Sequence, residues 1–405
     1  MSELDYGEQL LHRKSMKNDA RHVAVITNYG EGTNNGFARL IERIGSANVT
    51  LIVPADEGSI AMRARGLEVE DWRLDRSASW LAMEVPLAAF HLARLLKKRR
   101  VRVAHSLGHL SNVCTFLACL LTRTPAVILS ITGLGSVFLG RTSVLRVALR
   151  LFYRVAAWAG AQVACENAAD EAYLSYIQPS SLKRVIHAGV DLTFFAPASS
   201  HAAERQLVRS LGLDGCTVVT FIGRLIIHKG IRELLQAWTE VERSHPNARL
   251  LVIGEADPGN HVDADALNGP VPDSVLFLGR RDDVRDLLSI SDIVVNPSHR
   301  EGMSRVNMEA LASAKAVVTT NAPGCAEMVD DGVNGILVPI ANANALAAAI
   351  DRLISDPSLR ESMGRASRRK AEEFSIDSAA EKLRLLYCQC GTPTSPPAAR
   401  PGQCS

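Results

Sequence analysis

Residues 217–244 read TVVTFIGRLIIHKGIRELLQAWTEVERS. Thr217–Ile222 is a short β-branched run, Gly223–Gly230 a loop carrying Arg224 and Lys229, and Ile231–Ser244 a helical pattern. The same strand–loop–helix rhythm continues on both sides. Downstream, Arg249–Ile253, Val275–Leu278, Ile293–Asn296 and Ala316–Thr319 read as strands, with helices at Asp283–Ser289 and Ser304–Ser313. Upstream, Arg21–Thr27, Val49–Pro54, Val101–His105, Ala126–Ile131 and Ala161–Cys165 read as strands, with helices at Phe37–Ile44 and Trp80–Arg100. This alternation predicts an α/β protein with parallel, doubly wound sheets. Ala196–Ser200 is small and polar and divides the chain into two halves of similar size. Ligands of such sheets sit beyond the carboxyl ends of the strands, so a cleft between the halves is the expected site.

Composition narrows the class without naming a partner. The 405 residues are 47% apolar and 22% charged, with a net charge of +2; this excludes a disordered chain, a collagen and a small disulfide scaffold. Eight cysteines lie mostly alone in apolar stretches, as buried free thiols do, and fit a reducing cytoplasm. Cys388 and Cys390 form a C-x-C pair with no second pair to complete a zinc site. Residues 1–20 show no secretory h-region. The uncharged stretch between Arg102 and Arg123 reads as a strand end, a loop and a helix rather than a membrane span, because it holds His105, Ser106, Gly108, His109, Ser111 and Asn112. Gly391–Ser405 is rich in Pro, Ser and Gly and is expected to be disordered.

Two constellations carry the chemistry. Gly223–Gly230 places Arg224 and Lys229 where a strand ends and a helix begins; free N–H groups and a positive dipole end there suit a diphosphate. It is not a Walker loop. Ser298–Glu309 (SHREGMSRVNME) separates Glu301, in the loop after a strand, from Glu309, about two turns into the next helix. Ionised carboxylates at a strand's carboxyl end suit sugar hydroxyls.

Together, G-R-L-x-x-x-K-G and, some seventy residues later, E-G-x-x-R-x-x-x-E resemble the C-terminal half of the retaining family 4 glycosyltransferases, which have the GT-B fold of two Rossmann-like domains. Pro323–Glu327, Asp331–Gly335 and Leu337–Pro339 extend the resemblance, which covers roughly residues 21–385. His105–Asn112, Ile131–Phe138, Cys165–Asn167 and Gly189–Asp191 are similar to a branch that makes capsule, exopolysaccharide and lipid-linked oligosaccharides. The resemblance implies an N-terminal acceptor domain (1–196), a nucleotide-sugar domain (197–373) and a helix (374–390) returning to the first domain, with a hinge near Pro197 and Phe374. It implies a nucleoside diphosphate sugar, usually a UDP-sugar, as donor, a polyprenyl-diphosphate-linked glycan as acceptor, and no metal or other cofactor. Arg224 and Lys229 would hold the diphosphate, Glu309 the ribose and Glu301 the hexose near the reacting carbon, with Met303, Ser304, Arg305 and Val306 completing the donor loop. Many family members carry a histidine where this chain has Thr132; His105, His109 and Asn112 come from the neighbouring strand end and are candidates, with Thr132, for the acceptor side. The Asn28–Gly36 loop is longer than usual for the branch.

Charge placement says more than net charge. Residues 77–155 hold eleven Lys or Arg and one acid, Glu84. On the helix expected over 143–159, Arg146, Arg150 and Arg154 recur every four residues, beside Leu145, Leu149, Phe152 and Trp158. That pattern predicts docking on an anionic membrane surface, which the resemblance places at the cytoplasmic face of the membrane. Asp263-Ala264-Asp265 is a chance D-x-D in a polar loop, and Lys97–Arg100 has no nucleic-acid-binding motif beside it. The alternatives are a transferase with a soluble or other lipid acceptor and a non-catalytic binding protein. A nucleotide-sugar epimerase shares the architecture but lacks both pairings.

Overall fold

Seven parallel strands from the first half and six from the second form two separate sheets, ordered β3-β2-β1-β4-β5-β6-β7 and β10-β9-β8-β11-β12-β13. The computed structural model describes residues 22–390 apart from 28–35, 46–47, 73–80, 135–143, 185–188, 198–200, 257–266, 268 and 270. The first sheet runs β1 (Val23–Thr27), β2 (Val49–Val53), β3 (Glu68–Asp71), β4 (Val103–Leu107), β5 (Ala126–Ile131), β6 (Gln162–Cys165) and β7 (Leu182–Arg184). The second runs β8 (Thr217–Ile222), β9 (Ala248–Ile253), β10 (Val275–Gly279), β11 (Ile293–Asn296), β12 (Ala316–Thr320) and β13 (Gly335–Val338). β1, β2, β4, β11 and β12 are buried along their whole length. Helices cover both faces of each sheet, so these strands read as continuous apolar runs rather than alternating ones.

In the first domain α1 (Gly36–Ile44) and α2 (Glu57–Ala64) pack on one face. α3 (Leu81–Lys98), α4 (His109–Thr122) and α5 (Val144–Trp158) form the layer on the other, and α6 (Ala168–Tyr173) follows β6. The stretch between Arg102 and Arg123 is β4 and α4, and among the described residues no helix is long and apolar enough to cross a membrane. The second domain carries α7 (His201–Ser210), α8 (Ile231–Ser244), α9 (Val284–Ser289), α10 (Arg305–Ala312), α11 (Ala343–Ser355) and α12 (Pro357–Lys370). Trp238 of α8 is fully buried, its indole N–H donating to Ser274 Oγ at 2.9 Å.

α13 (Ile376–Cys390) leaves the second domain and completes the first domain's core through Ile376, Ala379, Ala380, Leu383, Leu386 and Tyr387. The chain therefore crosses twice, and the crossings are bonded together. Val190 N–H donates to Phe374 O and Ile376 N–H to Val190 O, both at 2.9 Å. A Cβ on Gly189 would stand 2.5 Å from Ile376 Cα, so this approach requires glycine. Val190, Leu192 and Phe195 already pack in the second domain with Met303 and Phe374, so the crossing precedes the linker expected at Ala196–Ser200.

The sequence pattern missed β3 because EVED is acidic; it is an edge strand, with Glu68 and Glu70 paired to Arg99 and Lys98. α10 starts at Arg305, with Ser304 outside it as N-cap, so Glu309 lies little more than one turn in rather than two.

Candidate active site

The second sheet reverses its order between β8 and β11, and both constellations leave the sheet at that seam. A sheet opens a crevice where neighbouring loops diverge in this way. Gly230 lets the two loops meet: its φ is +71°, and a Cβ there would stand 2.2 Å from the Pro297 carbonyl oxygen. His299 N–H donates to His228 O across the same seam at 2.9 Å.

Lys229 ends a single 3-10 turn, Ile227–Lys229, and its ammonium bonds Glu301 Oε1. The Ser298 hydroxyl lies 2.9 Å from that same oxygen and 2.7 Å from Asn296 Oδ1. Arg224 is exposed on the loop that carries Lys229. Lys229 and Glu301 thus pair at the mouth of the seam, with Arg224 on the same loop. Ser304 Oγ accepts from Asn307 N–H at 3.3 Å and opens α10. The Met303 side chain packs into the core with Val190 and Phe374, so it supports the loop rather than facing the cleft; Val306 is half-buried.

Glu309 has an Arg305 Nη2 3.7 Å away. Burial raises its carboxyl pKa, against the opposing pull of Arg305 and Arg39. It lines an interdomain cleft of about 190 Å³, with Arg39 from α1, Asp191 and Phe194 from the crossing, and Arg281 and Arg285 near the start of α9. The Arg39 guanidinium sits 3.8 Å over the Phe194 ring and 3.4 Å from Asp191 Oδ2. The cleft lining sets Arg39, Arg281, Arg285 and Arg305 against Asp191, Asp282 and Glu309, a small positive excess that favours an anion. Motif reading missed Arg39, Arg281 and Arg285: Arg39 belongs to no motif on its helix, and Arg280–Asp286 mixes arginines with aspartates as an ordinary solvated turn does. Asp191 belongs to the Gly189–Asp191 motif, which by itself gives it no chemical role.

The first domain grips the Glu301 loop from the opposite side. Thr132, exposed after β5, presents its carbonyl to Gly302, where an added Cβ would lie 2.5 Å from both that oxygen and Glu166 Oε2. Asn167 Nδ2 donates to Gly302 O at 2.8 Å. Arg300 bonds the fully buried Asp170 of α6.

His105 and Asn112 are corrected by the structure: both are core residues. His105 is 1% exposed, its Nδ1 2.8 Å from the Tyr387 hydroxyl and its Nε2 2.7 Å from Ser130 Oγ, so it anchors α13 to β4. Asn112 donates to Ser130 O and to the Tyr153 hydroxyl, each at 3.0 Å, and accepts from Ser106 Oγ at 2.7 Å. His109 is half-buried at the start of α4, its Nδ1 2.8 Å from the Tyr153 hydroxyl; burial lowers its pKa. The Asn28–Asn35 part of the first loop, together with Asp263 and Asp265, lies outside the described residues. Among the described residues no group of three His, Cys, Asp or Glu is placed to hold a metal ion.

Residues 205–370 match the family model described as glycosyl transferases group 1. The chain is 26% identical over 346 residues to the N,N'-diacetylbacillosaminyl-diphospho-undecaprenol alpha-1,3-N-acetylgalactosaminyltransferase of Campylobacter jejuni, covering 84% of this chain and 90% of the relative. It is 34% identical over 172 residues to the capsular polysaccharide biosynthesis glycosyltransferase CapM of Staphylococcus aureus, covering 42% of this chain and 45% of that protein. Anabaena Alr3699/HepE, solved in complex with UDP-glucose, superposes with a TM-score of 0.76 over 91% of this chain and 99% of its own, at 19% identity. That likeness is one of fold: two Rossmann-like domains facing across a cleft.

Proposed function

We propose that this chain, a family 4 glycosyltransferase, moves a hexosyl or N-acetylhexosaminyl group from a UDP-sugar to a polyprenyl-diphosphate-linked glycan at the cytoplasmic membrane face, with retention at the anomeric carbon. The observation that carries the reading is the Lys229–Glu301 pair at the β8–β11 seam, with Arg224 on the same loop and Glu309 in the adjoining cleft. A diphosphate entering there takes the Lys229 ammonium from Glu301 and shares it with Arg224. The released Glu301 carboxylate then accepts hydroxyls of the donor sugar, while Glu309 accepts those of the ribose. As the C1–oxygen bond breaks, negative charge grows on the leaving diphosphate beside fixed cations and the N-terminal end of α10, where it is stabilised without solvent reorganisation. The acceptor oxygen bonds C1 on the face the diphosphate leaves, and its proton passes to the departing phosphate oxygen. No protein nucleophile and no metal enter this scheme. The lipid-linked acceptor is supported by the undecaprenol-diphosphate substrate in the Campylobacter relative's name.

The test is a panel of UDP-sugars with a polyprenyl-diphosphate-linked acceptor, following UDP release and the anomeric configuration of the product by NMR. One donor is expected to give an α-linked product from its α-anomer. An inverted product overturns retention, and C2 or C4 epimerisation without transfer overturns the function.

A further inference from the structure

α5 is apolar on two opposite faces. Leu149, Tyr153, Ala156 and Ala157 are buried against the sheet. Val144, Val147, Leu151, Val155 and Trp158 are exposed, Val144 to 88%, Leu151 to 61% and Trp158 to 81%. At about 100° per residue these five fall within a band about 80° wide, directly opposite the buried face. A surface helix of a soluble domain normally turns a polar face to water. In the same layer, α3 exposes Leu87 and Phe90 and α4 exposes Leu120 and Leu121.

We propose that this outer face of α5, with the exposed apolar residues of α3 and α4, inserts into the headgroup region of an anionic bilayer. Charge identifies the occupant. α4 and α5 contain no acid and α3 only Glu84, whereas Arg94, Lys97, Arg123, Arg150 and Arg154 are exposed on these elements or at their ends. Cations bordering an apolar stripe complement anionic lipid, the stripe entering the acyl boundary and the cations meeting headgroups. A second copy of the same face would set arginine against arginine.

The structure also reassigns the lead from the arginines to the stripe. Arg150 lies over the rings of Tyr173 and Tyr176, at 5.6 and 4.7 Å, and Arg146 is half-buried. Lys98 and Arg99 are held by Glu70 and Glu68. The inference deepens the proposed function, from which it takes the lipid-linked acceptor, but its geometry stands alone.

The experiment is flotation of the full chain with phosphatidylcholine vesicles with and without phosphatidylglycerol, comparing wild type with Val147→Glu/Leu151→Glu and with the milder Leu151→Ser/Trp158→Ser. Wild type is expected to float with the anionic vesicles. The glutamate variant is expected to lose roughly tenfold or more in partitioning and the serine variant less, since each removes buried apolar area. Both are expected to keep the wild-type melting temperature and UDP affinity. Equal flotation of the variants overturns the proposal, as does a wild type that stays unbound. If that unbound wild type is a dimer split by the variants, the stripe is a self-association surface. Absence of UDP binding in a wild type that floats would count against the proposed function and leave the membrane surface standing.

Discussion

Lys229 and Glu301 neutralise each other across the β8–β11 seam, and the proposed mechanism gives each a second task once an anion arrives. Truncating either cation of the seam removes charge that acts on the leaving group. Arg224→Ala or Lys229→Ala is therefore expected to lower kcat/KM by about 3 kcal/mol of transition-state stabilisation, about a hundredfold, with the fold intact. Glu309 gives a pH signature. Burial raises its carboxyl pKa, so on acidification it gains a proton at a higher pH than an ordinary glutamate and would then stop accepting the ribose hydroxyls that the proposed mechanism assigns to it. UDP affinity measured by calorimetry should fall as pH drops through that raised value, and Glu309→Gln should bind more weakly but flatten the profile. A Gln variant with the wild-type profile would remove Glu309 from the site. His105 behaves differently, because its partners are Ser130 and Tyr387. His105→Ala should cost about 1–3 kcal/mol of stability, read by denaturant unfolding, since the buried Tyr387 hydroxyl loses a partner. kcat of the folded fraction should be unchanged.

At the scale of elements, the β-branched runs and the helix patterns were readable because strands buried on both faces and amphipathic helices leave periodic signals. β3 was not, because an edge strand tolerates Glu68, Glu70 and Asp71 and so hides in a polar stretch. Glu301 and Lys229 were legible as a motif. Their mutual bond was not, since it depends on how closely the Gly230 and Pro297 backbones approach. Arg39 and Arg281 carry no local pattern; the crossing at Val190 and the reversal of strand order bring them to the cleft. The contacts of β5, β6 and α6 with the Glu301 loop were likewise invisible, being tertiary. Asp170 and Arg300 add an ion pair to the Asn167–Gly302 bond between the domains. Asp170→Ala leaves the half-buried Arg300 guanidinium without its carboxylate, a cost of about 1–3 kcal/mol. Parting of the domains lets water reach Arg300 and relieves that cost without unfolding.

At the scale of the whole molecule, those contacts and the paired crossings at Val190 and Phe374–Ile376 set how the two domains face each other. Asp170→Ala is expected to show a larger radius of gyration than wild type by X-ray scattering, with compaction restored at saturating UDP. Identical profiles would show that the ion pair does not hold the cleft closed. The apolar face of α5 would lay the first domain on the bilayer that carries the acceptor, leaving the second domain to bring the donor across the cleft. The claim on which this arrangement depends is that one set of charges, at the β8–β11 seam, handles the donor diphosphate. It is tested most directly by the initial rate of UDP release from the donor sugar selected by the panel, in the presence of the lipid-linked acceptor, comparing wild type with Arg224→Ala/Lys229→Ala. The double variant is expected to keep its melting temperature and to fall at least about a hundredfold; near wild-type turnover would contradict the assignment.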